Sequence, residues 1–546
     1  MAFASWLALG SSTSASAQPP VAHPRLEIEA VVDPATHGLK CKALIRDAGV
    51  GSFSLARSLT IARLTVDGKP ARYRREPGMA GTEDRVSLES ASGRELAVEY
   101  SGRILAEAYP PLTRQANMVS QTLVELASYV GWYPRLEGGG AFEFQLTVDV
   151  PVGFVTVTNG RLQSEKTVGA RERTTWTSFT PTSDVLLLAA PGLRKTETVR
   201  GDVTVEVYGT RLPEDYLASM RGDLVRALGF LSEAIGAPSP TRLVRVVYSP
   251  RPGWGYVRTP LIVVSENGAL AQRGEPFGPA RDFRYIAHEI AHYWWHLGDT
   301  ATPEDWINEG FSEYMALLAS EAIVGKEFAR ELQQEYVERS QSSATTPAIL
   351  ETGNDSPHRE VNRYARPVLL LSELREKYGP ERTTRFIAGA YRRFAQEGRA
   401  TTTVLLDEAA KSLGPDAAEL LSEGLHRTRW PGAQPLPKYA WSPKDAAFLG
   451  TWTGRLTQAG ATHGVVLHLV AKGEALVATM ESPDQGVKDI PVPEVGIAGG
   501  VLRFRLGGFG VSFEGRLDAA GTTLAGTWKQ GGSHVLLTLS KGAPGN

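Results

Sequence analysis

Between Arg25 and about Arg200, apolar residues recur at every second position in short runs. Phe142, Phe144, Leu146, Val148 and Val150 alternate with polar residues, the period of two that buries one face of a strand. Pro151-Val152-Gly153 and Asn159-Gly160 punctuate that run as turns. Residues 59–66, 85–88 and 96–100 read the same way, and together these segments predict one N-terminal β domain over 25–200, an antiparallel sandwich. The period changes at Pro213. Leu217, Met220, Leu224, Leu228 and Leu231 recur at helical spacing up to Gly236. Strands are predicted at 243–248 and 261–264, and helices dominate from there to about Trp430, among them 368–378 and 381–394. This pattern marks an α/β segment over 201–330 and a helical one over 331–430.

Pro431, Pro435, Pro437 and Pro443 stiffen a linker over 431–443. Beyond it, over 444–546, the chain turns β again. Gly450-Thr451-Trp452 is echoed by Gly526-Thr527-Trp528, and strands at 465–470, 501–506 and 535–539 predict a small barrel or sandwich. The Gly-x-Trp opening resembles that of lipocalins, although an accessory packing module accounts for it equally simply. The class predicted is therefore α+β and multidomain, in keeping with three or four domains at roughly 150 residues each.

Composition narrows the partners. Lys plus Arg is 58 against 60 Asp plus Glu, a net charge of −2, which supports neither a nucleic-acid surface nor an acidic tail. No run of apolar residues is long enough to predict a membrane-spanning helix. The single Cys41 builds neither a disulfide nor a thiolate zinc cluster. At the N-terminus a short apolar stretch is followed by a small-residue run ending Ala15-Ser16-Ala17. This resembles the core and cleavage site of a secretory signal, with the first basic residue only at Arg25. Residues 1–17 are read as a signal remnant, which implies a periplasmic or secreted protein, with a cytoplasmic one as the alternative.

The chemistry concentrates at His288-Glu289-Ile290-Ala291-His292, in a stretch free of Gly and Pro. On a helix, positions i and i+4 share a face, so both imidazoles reach one zinc ion. Glu289 lies one residue round, where it addresses water rather than metal. Three of the ten histidines fall here, the third being His296. At about 1.5 Å rise per residue, His288 and His296 are about 12 Å apart, too far for one ion with bonds of about 2.0–2.1 Å. His296 is therefore read as a surface or supporting residue. Thr302-Pro303-Glu304-Asp305 predicts a second helix, with Thr302 as N-cap and Pro303 in its first turn. With Gly298 ending the first helix, the two fold back and bring Glu309 to the metal as a third ligand. Two neutral imidazoles and one carboxylate leave the site positive, which favours ionising a bound water. Glu313, one turn on, either orients a ligand histidine or is a solvated carboxylate.

HExxH followed by Trp306-Ile307-Asn308-Glu309-Gly310-Phe311 resembles the alanyl aminopeptidase and leukotriene hydrolase family of zinc metallopeptidases, the gluzincins. Trp132-Tyr133-Pro134, Val150-Pro151 and Thr158-Asn159-Gly160 are similar to that family's N-terminal β domain. The helix ending Ile235-Gly236 is similar to the start of its thermolysin-like catalytic domain. The resemblance covers about 25–430 and leaves the C-terminal module outside. It implies one zinc ion, a peptide substrate and hydrolysis by zinc-activated water. It also implies a tyrosine that stabilises the oxyanion, and Tyr364 in Arg363-Tyr364-Ala365-Arg366-Pro367 is the matching position.

Three departures stand out. Sixteen residues separate His292 from Glu309, where the family usually has eighteen. The flanks of Tyr364 differ from the family's. Most consequentially, Gly253-Trp254-Gly255-Tyr256-Val257-Arg258-Thr259 stands where the family's aminopeptidases carry Gly-x-Met-Glu-Asn, whose Glu holds the substrate's α-ammonium. The register puts Arg258 at the acidic position, with Gly255 and Tyr256 beside it in the substrate site, and like charge repels an ammonium. Glu125 is one acid that could replace it. The primary expectation is an aminopeptidase on oligopeptides. The alternatives are an endopeptidase or other zinc hydrolase in which Arg258, Arg363 and Arg366 capture a substrate carboxylate, or a catalytically inactive binding protein. The bland reading of those arginines is ordinary surface residues.

Overall fold

The computed structural model describes residues 23–78, 82–89, 93–105, 117–136, 140–201, 203–237, 243–251, 255–266, 278–341, 346–354, 356, 358–430, 442–458, 461–473, 475–485, 487–492, 494–506, 511–530 and 533–542. The expected signal remnant and nearly all of the expected linker lie outside them.

The period-two runs do form strands. Glu143–Pro151 buries Phe144, Leu146, Val148 and Val150 on one face. It lies in an eight-stranded sheet, flanked by two four-stranded sheets. One apolar cluster draws on all three, joining Ile28 and Leu146 to Phe53 and Val86 and to Val124 and Leu187. The expectation of a purely antiparallel sandwich needs correction. Arg25–Asp33 pairs parallel with Glu143–Pro151, in register from Arg25↔Glu143 to Val31↔Asp149. The alternation of apolar residues fixes which face is buried and says nothing about strand direction.

The central region is built on a five-stranded sheet. Val203–Gly209, Leu243–Ser249 and Leu261–Ser265 run parallel, and Tyr256–Arg258 pairs antiparallel at its edge. Helix α1 (Glu214–Ile235) makes the crossover, burying Leu217, Met220, Leu224, Leu228 and Leu231 and stopping at Gly236. The next helices are α2 (Gly278–Ala291), α3 (Asp305–Ile323) and α4 (Lys326–Gln341). They are followed by α5 (Arg366–Tyr378), α6 (Pro380–Glu397), α7 (Thr402–Ser412) and α8 (Pro415–Leu425). A single apolar cluster runs from Val205 through these helices to Trp430. A second cluster, with Leu123, Val157 and Leu188 on one side and Val247, Leu261 and Val263 on the other, fastens the N-terminal sheets to this region.

Two helix ends differ from expectation. Helix α2 stops at Ala291, well before Gly298, because Tyr293 and Trp294 N–H groups bond three residues back, to Ile290 and Ala291, and tighten the last turn. Helix α3 starts at Asp305, not at Pro303. Thr302 Oγ1 caps only a preceding turn, accepting from Glu304 N–H at 3.3 Å.

The C-terminal module closes into a nearly complete barrel. Its nine-strand ladder ends on Val487–Val492 and Glu494–Ala498, which are separated in sequence by Pro493 alone. One passage of chain therefore pairs with 475–482 through its first half and 501–506 through its second. Trp452, Phe504, Phe513 and Trp528 fill the interior. Among the described residues no helix is long and apolar enough to cross a membrane.

Candidate metal centre and substrate cleft

Helices α2 and α3 face each other across the loop 292–304, which Asn308 ties back to α3. Asn308 accepts from Gly298 N–H at 2.8 Å and donates to Gly298 O at 2.9 Å. A Cβ on Gly298 would meet Glu304 O at 2.7 Å, so this close approach requires glycine.

With the helices so fixed, one ligand atom each from His288, His292 and Glu309 fall within 4.8 Å of one another. Glu309 Oε2 lies 3.3 Å from His288 Nε2 and 3.5 Å from His292 Nε2. Both imidazoles are oriented from behind. His292 Nδ1 donates to Trp295 O at 2.9 Å and sits 3.1 Å from Ser312 Oγ. His288 Nδ1 lies 2.8 Å from Glu313 Oε2. The other ring nitrogen of each is thereby turned toward Glu309, as metal ligation demands. Glu313 is buried, not solvated: its Oε1 accepts from Arg284 Nη1 and from the Tyr336 hydroxyl, both at 2.6 Å. Burial works to raise its pKa, but Arg284, His288 and Tyr336 outweigh this and hold it at about 2.

Electrostatics provide a test of whether a cation fits. Burial alone would lower the His288 pKa, yet the Glu309 and Glu313 carboxylates push it up to about 10. His292 is raised for a similar reason, and Glu309 is held well below the usual carboxylate range by hydrogen bonds to both histidines. Three carboxylates around two imidazoles retain positive charge here, and the borderline nitrogen and oxygen donor set suits zinc. The residues fit the ion.

Glu289 stands beside this cluster, raised by burial and by Glu309 against the lowering pull of both histidines. Tyr285, one turn earlier, interacts with it and also takes the Gly255 N–H. Tyr364 arrives from the far side, on the π-helical turn Val361–Ala365 that leads into α5. Its ring centroid is 5.7 Å from that of His288. Burial, Glu309 and Glu360 push the phenol's pKa well above its ordinary value, against the lowering pull of Arg359, so it stays protonated. The start of α5 packs so tightly on α3 that a Cβ on Gly310 would lie 2.5 Å from Pro367 Cβ.

The cleft in front of these residues has a volume of about 1520 Å³, room for several residues of a peptide. Gly255 and the edge-strand residues Tyr256 and Arg258 line it, as does the exposed His296, whose Nδ1 is 3.0 Å from His292 O. Arg363 and Arg366 do not line it, which removes them as substrate ligands and as surface residues alike. Both are fully buried. Arg363 pairs with Asp305 and donates to Asn354 Oδ1 at 2.8 Å, while Arg366 bonds Thr346 and Asn362. Glu125 is buried too, 3.1 Å from Arg251.

Several residues escaped the sequence reading. Tyr285 and Glu289, and Arg284 and His288, are i, i+4 pairs on α2, and Ser312 follows Glu309 by three; helical spacing held that signal. Arg359 had none. It reaches Glu360 at 3.0 Å and lies 5.9 Å from the Tyr364 ring centroid, in a turn no periodicity predicts.

No protein-family model and no curated protein matches this chain. Solved structures do. The M1 zinc metallopeptidase from Deinococcus radiodurans superimposes with a TM-score of 0.58 at 20% identity, over 76% of this chain and 96% of that one. A variant of it bound to a Tyr-Ser-Ala substrate gives 0.57 at 20% identity, over 76% and 94%. A two-domain M1 zinc metallopeptidase variant bound to L-arginine gives 0.58 at 19% identity, over 76% and 96%. In fold, and with a His-His-Glu cluster that suits zinc, this chain is similar to the M1 zinc metallopeptidases.

Proposed function

We propose that this protein is a zinc-dependent peptidase that hydrolyses peptide bonds of oligopeptides, with His288, His292 and Glu309 holding one zinc ion. The observation that carries this reading is the convergence of those three ligand atoms beside a buried, raised carboxylate, Glu289. When bound, zinc supplies a Lewis acid that brings the pKa of a water to about 7. Glu289 takes the proton of the attacking water and returns it to the leaving amine. Tyr364 donates a hydrogen bond to the carbonyl oxygen as negative charge develops there, keeping its proton. An extended peptide would lie along the edge strand Tyr256–Arg258, whose residues line the cleft. Glu313 and Ser312 keep the imidazoles aimed.

Removal of an N-terminal residue is what the resemblance implies, and it is the first mode to test. A second mode, in which no free amine is needed, is favoured by one observation: Asp184 and Glu125, two acids beside the edge strand, are already paired with arginines. The test is hydrolysis of an oligopeptide mixture before and after chelation, with zinc then restored. Cleavage that stops on chelation and returns with zinc is expected. Cleavage that persists in fully metal-free protein would overturn the assignment.

A further inference from the structure

The charged groups behind the edge strand cancel in a particular way. Arg258 Nε donates to Asp184 Oδ2 at 2.6 Å. The other oxygen of Asp184 accepts from Ser128 N–H at 3.0 Å and lies 3.4 Å from the Tyr133 hydroxyl. Deeper in, Arg251 Nε is 3.1 Å from Glu125 Oε1, and Tyr256 donates to that same oxygen at 2.9 Å. The Tyr256 ring is flanked by both cations, with the guanidinium carbons of Arg251 and Arg258 at 5.0 and 5.6 Å from its centroid. Two positive and two negative charges sum to zero, but they are not equally accessible. The side chains of Glu125, Arg251 and Asp184 are 0%, 3% and 5% exposed, whereas that of Arg258 is 33% exposed and lines the cleft. The charge that this wall presents to a substrate is therefore a cation.

Resting on the peptidase reading above, we infer that the cleft beside Arg258 selects peptides carrying an anionic group next to the scissile residue's amino end. That group is a carboxylate on an acyl cap or on the preceding acidic residue, in place of a free ammonium. The guanidinium is held at two points, Nε on Asp184 and Nη1 on Val257 O at 2.8 Å, so its partly exposed positive charge is fixed in position toward the cleft. In a half-open cleft each unit of substrate charge changes kcat/KM by about three- to tenfold. The aromatic ring beneath holds the arginine in place and adds to its fixed orientation.

The experiment uses three alanyl anilides that differ only at the alanine nitrogen: free amine, acetyl and succinyl, with charges of +1, 0 and −1. Each is assayed with the zinc-loaded full chain, with Arg258→Gln and with Arg258→Glu. Comparing ratios within one preparation cancels any loss of folded enzyme. The wild-type order expected is succinyl, then acetyl, then free amine. The order should flatten in Arg258→Gln and reverse in Arg258→Glu. A wild-type preference for the free amine, or ratios unchanged in Arg258→Gln, would overturn the inference and leave the peptidase intact. No turnover of any anilide, nor of the oligopeptide mixture, would overturn both.

Discussion

The two walls of the cleft are built on opposite plans. The helical wall is largely local: His288 and Glu289 on α2, and Glu309, Ser312 and Glu313 on α3, are set by helical spacing, and most of their partners lie one turn away or on the facing helix, with Tyr336 of α4 added behind Glu313. The strand wall is assembled from afar. Arg258 is fixed by Asp184, which is 74 positions earlier, and Arg251 by Glu125, so the N-terminal sheets contribute half of its charge. Chemistry that must be held to a fraction of an ångström sits on rigid local geometry. The selectivity inferred for the cleft would rest on a surface to which the N-terminal sheets contribute.

The difference can be broken or sharpened by substitution. Glu289 apart, the largest expected effect is on Tyr364. Replacing it with Phe removes the phenol donor and should lower kcat by about 10²–10³ while metal content and KM stay near wild type. Steady-state kinetics with metal analysis checks this, and an unchanged kcat would free Tyr364 of its assigned role. A smaller effect is expected from Glu313→Gln, which weakens the support behind His288. Zinc affinity should fall by about 10–100-fold in a competitive chelator titration, because the imidazole loses its charged partner. Neither substitution should alter the relative rates on the three charged anilides, since neither touches the strand wall. If Glu313→Gln changed those ratios as strongly as Arg258→Gln, the two walls would not be separable.

How much of this was legible in the sequence follows the same division. The period-two run at 142–150 and the helical leucines of α1 form the elements their spacing predicts. The i, i+4 spacing of His288 and His292 likewise brings their rings to a centroid separation of 4.8 Å. What the pattern could not carry was anything depending on distant partners. It gave no sign that Arg25–Asp33 would pair parallel with Glu143–Pro151, nor that Arg363 and Arg366 would be consumed by Asp305 and Thr346 in the interior. A charged residue carries no local signal of burial when its counter-charge lies tens of positions away. The helix ends at Ala291 and Asp305 were missed for a related reason: tight turns and the Gly298–Asn308 bonds, not cap residues, define them.

The central claim is that Glu289 moves protons and does not hold metal. The most direct measurement is zinc content and peptide turnover on the same preparations of wild type and Glu289→Gln. The account predicts one zinc per chain in both, with turnover in the variant lower by about 10²–10⁴-fold. Turnover near the wild-type rate, or a variant that has lost its zinc, would contradict it.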